Sequence, residues 1–188
     1  PDVNASMAMF SVQDGNIRFG LAGVKSVGEH AIQTIIETRT KGGAFTSLSD
    51  FCSRVDAHVV NHRAIESLIK CGAMDSFGKK RSQLMAVIDQ AMSLGAICQK
   101  DTASGQMGLF DTDEVAAVTE LEYPDIDEYP MDMRLAMEKE YDGFYFSGHP
   151  LNAYEKEMKA VTPLAALYAE DGETYDGKSI SIGGLVTA

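Results

Sequence analysis

The sequence predicts a mainly α fold: a helical bundle with a small β-hairpin at its N-terminal end, followed by a flexible acidic tether. Three observations lead there. Apolar residues recur at helical spacing through most of the first 98 positions, two short apolar runs flank the turn dipeptide Asp14-Gly15, and the composition turns acidic and apolar-poor between Gln99 and Tyr129. With 188 residues, 45% of them hydrophobic and 23% charged, the chain can bury a real core and form at most two small units.

Met9, Phe10 and Val12 before the turn, and Ile17, Phe19 and Leu21 after it, predict a hairpin. From Gly28 the spacing becomes helical, with Ala31, Ile32, Ile35 and Ile36 on one face and Gly42-Gly43 as the stop. Ser47 and Asp50 cap a second short helix through Phe51 and Cys52. Asn61 caps a third, with Ala64, Ile65, Leu68 and Ile69 inward and Cys71-Gly72 at its end. A fourth, about residues 80 to 97, packs through Leu84, Met85, Val87, Ile88, Met92 and Leu94. Residues 99–129 hold too few large apolar side chains to offset chain entropy, which predicts a tether. After Pro130 a helix carries Met133, Leu135, Ala136, Glu138 and Tyr141 toward the breaker Gly148-His149-Pro150, and a short helix runs from about Asn152 to Met158, so residues 130–170 form a helical joining segment. Ile180, Ile182, Leu185 and Val186 alternate like a first strand; with Pro1 in place of an initiator methionine, this suggests a piece of a larger protein.

The net charge of -12 argues at first against nucleic acid. It is unevenly spread: residues 1–100 hold 11 Lys and Arg against 9 Asp and Glu, a net of +2, and residues 101–188 hold 5 against 19, a net of -14. Only the first part can approach phosphates without long-range repulsion. No apolar run is long enough to span a bilayer, so no membrane partner is expected. Cys52, Cys71 and Cys98 are scattered and odd in number, which fits free thiols in a reducing cytoplasm.

Gly20-Leu21-Ala22-Gly23-Val24-Lys25-Ser26-Val27-Gly28 leads straight into the first helix. A glycine-punctuated turn at a helix start exposes amides beside the positive end of the helix dipole, which suits a phosphate oxygen; Gly23, Lys25, Ser26, Val27, Gly28 and His30 are the candidate contacts. Such a turn also serves as a plain cap. A second unit, Val55 to Arg63, places His58, Asn61, His62 and Arg63 before and within the third helix. Two such units in tandem resemble the paired helix-hairpin-helix arrangement that grips both strands of a duplex across the minor groove. Lys79-Lys80-Arg81, at a helix start, is either a phosphate contact or a solvated patch. His58 and His62 with a cysteine match no standard zinc spacing, so no metal and no cofactor are expected.

Pro1-Asp2-Val3-Asn4, Ile17-Arg18-Phe19-Gly20-Leu21, Gly23 to Gly28, Phe51-Cys52-Ser53-Arg54, Ile69 to Asp75 and Gly143-Phe144-Tyr145-Phe146-Ser147-Gly148-His149-Pro150-Leu151 together resemble the C-family of bacterial replicative DNA polymerases, the polymerase III alpha subunits, in the region after the catalytic palm and fingers. The resemblance implies that residues about 15 to 98 hold the newly made double-stranded DNA, that 177–188 is the truncated first strand of an OB fold, and that the rest of the polymerase III alpha chain is a partner. Ser26 stands where the family often has glycine.

Within the tether, Gln106-Met107-Gly108-Leu109-Phe110 resembles the pentapeptide that docks on the bacterial sliding clamp, the beta subunit. Leu109 and Phe110 would enter an apolar cleft, Gln106 would bond at its rim, and Gly108 would let the backbone bend. A weak contact gains effective concentration when the hairpins hold the DNA that the ring encircles. Asp111-Thr112-Asp113 and Asp125-Ile126-Asp127 lack rigid support for two metal ions, so this segment is expected to be non-catalytic. Two rival readings are a helix-hairpin-helix repair enzyme working through Lys70 and Asp75, and a protein-interaction scaffold using its acidic half.

Overall fold

The structure, a computed structural model of the chain, describes residues 1–13, 15–104, 121–168 and 175–186, and the side chains of 101–104 are not included. The chain divides into two units, Pro1–Phe144 and Tyr145–Ala188.

In the first unit, β1 (Ser11–Gln13) and β2 (Asn16–Arg18) pair antiparallel in the register Ser11↔Arg18, Val12↔Ile17, Gln13↔Asn16. A 3-10 turn, Leu21–Gly23, leads to α1 (Glu29–Gly42). α2 (Leu48–Arg54) starts where the Ser47 side chain accepts from the Asp50 amide at 3.1 Å, and α3 (His62–Lys70) where the Asn61 side chain accepts from the Ala64 amide at 3.0 Å. Both expected caps are therefore in place. The inward faces are those the periodicity predicts: Ala31, Ile32 and Ile35 of α1 and Ala64, Ile65, Leu68 and Ile69 of α3 are buried in one core with Leu21, Leu48, Phe51 and Leu84.

The expected fourth helix is two. α4 (Arg81–Ala86) ends at Val87, whose φ of -112° and ψ of 7° leave the helical region, and α5 (Ile88–Ser104) continues past residue 97. α5 lies close on α2: a Cβ on Gly95 would collide with the Cys52 backbone, so only glycine allows this approach. The Gln99 amide adds to that seam, donating to the carbonyls of Cys52, Ser53 and Val55 at 3.1, 3.3 and 2.6 Å.

The tether expected from Gln99 to Tyr129 is corrected at both ends. α5 takes up residues 99–104, and residues 121–129 form an extended strap across α4. Leu121 enters the core, and Tyr123 packs against it. Polar groups fix the rest, because α4 begins without a cap of its own and its orphan amides need acceptors. The Glu128 carboxylate accepts from the amides of Arg81 at 2.8 Å and Ser82 at 3.1 Å, Ser82 Oγ donates to the Asp127 carbonyl at 2.8 Å, and the Gln83 amide donates to the Pro124 carbonyl at 2.8 Å.

α6 (Met131–Asp142) also belongs to the first unit, so the expected joining segment 130–170 is divided after Phe144. It turns Leu135, Met137, Glu138 and Asp142 inward, whereas Met133 and Ala136 face out. In the second unit a 3-10 turn, Pro150–Tyr154, opens where His149 Nδ1 accepts from the Leu151 amide at 3.2 Å. α7 (Glu155–Met158) and α8 (Leu164–Leu167) follow. The expected OB strand forms no ladder through residue 186: a strand needs a neighbouring strand, and this run offers the Ser181 carbonyl to the Thr162 amide at 2.8 Å.

Candidate nucleic-acid interface

The turn before α1 is built on close backbone approach. A Cβ on Gly20 would lie 2.5 Å from the Ala8 carbonyl oxygen, and the Leu21 and Ala22 amides each donate at 2.9 Å, to the Met7 and Ala8 carbonyls. Several amides expected at a phosphate are engaged internally: Gly23 donates to the Gly20 carbonyl at 3.2 Å, Lys25 to the Tyr141 carbonyl at 2.8 Å and Val27 to the Val24 carbonyl at 3.3 Å. Val27 is also buried, so neither its side chain nor its amide faces a ligand, a correction to the sequence reading. Of the candidate contacts in the turn, Gly23, Lys25, Ser26, Gly28 and His30 are exposed. Gly28 caps α1 with no side chain on the first-turn amides, and nothing lies within 4 Å of where its Cβ would be. That open end meets the requirement for anion binding, although Glu29 stands in the same first turn. Ser26 has φ +67°, the left-handed conformation that favours glycine.

α6 braces this turn from behind, a role that the sequence did not reveal. Beyond the Tyr141 carbonyl, Lys25 Nζ lies 3.5 Å from Glu140 Oε1, with both side chains more than half exposed. Such a pair is worth little in water and yields readily to phosphate.

At the second turn the Val59 and Val60 amides donate to the Asp56 carbonyl at 3.0 and 2.8 Å, and the His58 amide donates to Asp56 Oδ1 at 2.8 Å. His58, His62 and Arg63 are exposed at the start of α3, while the Asn61 carbonyl oxygen is used as the cap. His62 Nε2 is 3.2 Å from Asp89 Oδ1. Protonated, it would have a carboxylate partner before any phosphate arrives.

The basic tripeptide splits in three ways. Lys79 Nζ lies 4.9 Å from the centre of the Tyr123 ring, and Lys80 Nζ donates to the Ile126 carbonyl at 2.9 Å, so both are exposed residues resting on the strap. Arg81 is only 3% exposed and is removed from the candidate contacts. Its Nε and Nη2 grip Asp75 at 2.9 and 2.7 Å, and its Nη1 donates to Glu138 at 2.9 Å and to the Lys70 carbonyl at 3.2 Å. Burial opposes the charge, but Asp75 and Glu138 outweigh it and hold the guanidinium above its ordinary pKa.

The groups that a repair enzyme would use are committed elsewhere. Lys70 Nζ lies 2.5 Å from Glu66 Oε1 and 3.3 Å from Tyr141 Oη, and its hydrogen bond to Glu66 raises its pKa, the wrong direction for a nucleophile. Asp75 holds Arg81. Burial pushes the Cys52 thiol up to about 12 and raises that of Cys71 as well. Among the described residues there is no cluster of His, Cys, Asp and Glu that could hold a metal ion, and no helix long and apolar enough to cross a membrane. The pentapeptide Gln106, Met107, Gly108, Leu109 and Phe110 lies outside the described residues, as do Asp111 and Asp113.

Comparison with known proteins agrees with this geometry. Residues 1–84 match the family model described as a helix-hairpin-helix motif. The chain is 39% identical over its whole length to DNA polymerase III subunit alpha of Vibrio cholerae serotype O1, covering 16% of that protein. It is 41% identical to the subunit of the same name from Bacillus subtilis, over 90% of the chain and 15% of that protein, and 44% identical to that from Deinococcus radiodurans, over 86% of the chain and 12% of that protein. The chain thus spans about a sixth or less of the length of these relatives.

Proposed function

Since the chain is related along its whole length to DNA polymerase III alpha subunits and carries a helix-hairpin-helix motif, we propose that it is the duplex-holding, non-catalytic segment of such a subunit. The observation that carries this reading is the uncapped first turn of α1, open at Gly28 and flanked by exposed Lys25 and His30, inside the region that matches the motif. Backbone amides at a helix start attract phosphate whatever the base sequence, so binding is expected to be non-specific and to weaken with salt. Lys25, Ser26, Gly28 and His30 before and within α1, His58, His62 and Arg63 at α3, and exposed Lys79 and Lys80 form the contact set. Polymerisation would reside in the remainder of a subunit like the relatives, and the run 177–188 would find its strand partners there as the start of an OB fold.

Docking on the sliding clamp through Gln106 to Phe110 is part of the same proposal. The pentapeptide follows the end of α5 at Ser104 by two residues in sequence, so a bound ring would be held close to the duplex-holding body. Short linkers give high effective concentrations, so a weak contact suffices for processivity. The site of action is the cytoplasm.

Two binding measurements test the proposal. Labelled duplexes of unrelated sequence should bind with similar affinity and weaken together as salt rises; binding that is absent or indifferent to salt would favour the scaffold reading. Replacing Leu109 and Phe110 with alanine should abolish capture on purified clamp without altering duplex binding, and retained capture would refute the role of the pentapeptide.

A further inference from the structure

The hairpin carries a pattern that its surroundings do not explain. In the observed register Val12 faces Ile17 across the strands, and one step further out the rings of Phe10 and Phe19 meet edge to face at 4.6 Å. Side chains alternate along a strand, so Phe10, Val12, Ile17 and Phe19 share one face, while Ser11, Gln13, Asn16 and Arg18 share the other. On the second face Gln13 and Asn16 are exposed and Ser11 and Arg18 half-buried, and there Arg18 Nε donates to Gln13 Oε1 at 3.2 Å. This alternation is the pattern of a strand pair with one face against a core. Yet Val12 and Ile17 are 78% and 79% exposed and Phe10 is 55% exposed. At the inner end the face continues over Phe19 to Phe144, 5.7 Å away between ring centres and itself 58% exposed.

We propose that this apolar face of the hairpin is an intramolecular docking surface, covered in the native polymerase subunit by a protein domain outside these 188 residues. The inference rests on the reading of the chain as a segment of such a subunit. Three points favour this occupant. Two strands of three residues each do not hold their shape alone in water, so the cover must be present whenever the hairpin is formed, as a neighbouring domain of the same polypeptide is. The relatives supply such domains, since more than four-fifths of their length lies outside the matched stretch. The face is also aliphatic and aromatic, with Arg18, the cation of the hairpin strands, on the opposite side, which suits a dry protein contact and not a phosphate backbone.

The test places the photo-crosslinking residue benzoylphenylalanine at Ile17 in the full polymerase subunit and, in parallel, in the 188-residue chain. In the subunit, crosslinks should join Ile17 to peptides of the same polypeptide outside this segment, and carbene labelling of Val12 and Ile17 should be lost relative to the 188-residue chain. Crosslinks to DNA, to a second copy or to none of these would overturn the proposal. Val12→Lys with Ile17→Lys gives an independent reading: it should lower the melting temperature of the subunit while leaving that of the 188-residue chain and its duplex affinity unchanged. Reduced duplex affinity would identify DNA as the occupant. Duplex binding that was already absent before substitution would instead count against the underlying reading of function.

Discussion

Replacing Arg81 with methionine separates a structural arginine from a DNA contact. Methionine keeps much of the length and apolar stem of arginine but removes the guanidinium from between Asp75 and Glu138. Asp75 is 46% exposed and can turn to water, but Glu138 is fully buried and loses a 2.9 Å partner. Removing one partner of a buried ion pair costs about 3–5 kcal/mol, a large share of the roughly 5–15 kcal/mol that holds a typical domain together. Urea unfolding followed by circular dichroism should therefore show a midpoint lowered by that loss divided by an unchanged slope. Substituting Glu138→Leu as well removes the buried carboxylate, and since buried ion pairs are often no better than apolar replacements, most of the loss should return. The rescued double variant should bind duplex as the parent does. A loss below about 1 kcal/mol for the single variant, or a stable double variant with impaired DNA binding, would refute the assignment.

Asp142 is buried, and burial, only partly offset by the Cys71 thiol and the Arg81 guanidinium, raises its pKa from 3.8 to about 6. The folded state then holds the proton more tightly than the unfolded chain, and stability should fall as pH rises from about 4 to about 6, with the full penalty, of order 1–3 kcal/mol, present above that window. Asp142→Asn should remove this slope and stabilise the chain at pH 7 but not at pH 4; identical pH profiles for the two proteins would contradict it. Leu121→Ala should cost about 2–4 kcal/mol, and amides of 121–129 that donate within the fold should exchange slowly; rapid exchange there would restore the original tether. Ser26→Gly relieves a left-handed serine at some cost in unfolded-chain entropy, so a net gain of about 0.5–1 kcal/mol is expected from thermal melts, and a loss would show that φ +67° is not strained here.

The helices were legible because their signals are local. Periodicity identified the buried faces of α1 and α3, and Ser47 and Asn61 marked their own helix starts. What escaped is what one segment does to another distant in sequence. Glu128 caps α4 from 46 and 47 residues away, and nothing in an acidic, apolar-poor stretch distinguishes that carboxylate from its solvated neighbours. Leu121 and Tyr123 were too sparse to outweigh the composition around them. Arg81 looked like Lys79 and Lys80 because its partners come from Asp75 and from α6; the position of Glu138 on the inward face of that helix with Leu135 could have signalled that a cation must meet it. The contacts of the first six residues were hidden for the same reason: Val3 is buried, its carbonyl accepts from Arg39 at 2.7 Å, and Asn4 exchanges hydrogen bonds with the Phe45 backbone at 2.8 and 2.7 Å. At the candidate site, glycine spacing and charge located the turns correctly, but which amides remained open could be seen only once Tyr141 and the carbonyls within the turn had taken theirs.

The most direct measurement is the salt dependence of duplex affinity for the parent chain and for the double variant Lys25→Glu with Arg63→Glu. If each cation faces one phosphate, the slope of log affinity against log salt should become shallower by about 2, and affinity should fall alike for unrelated duplexes. An unchanged slope would mean that these two helix starts do not touch the DNA backbone.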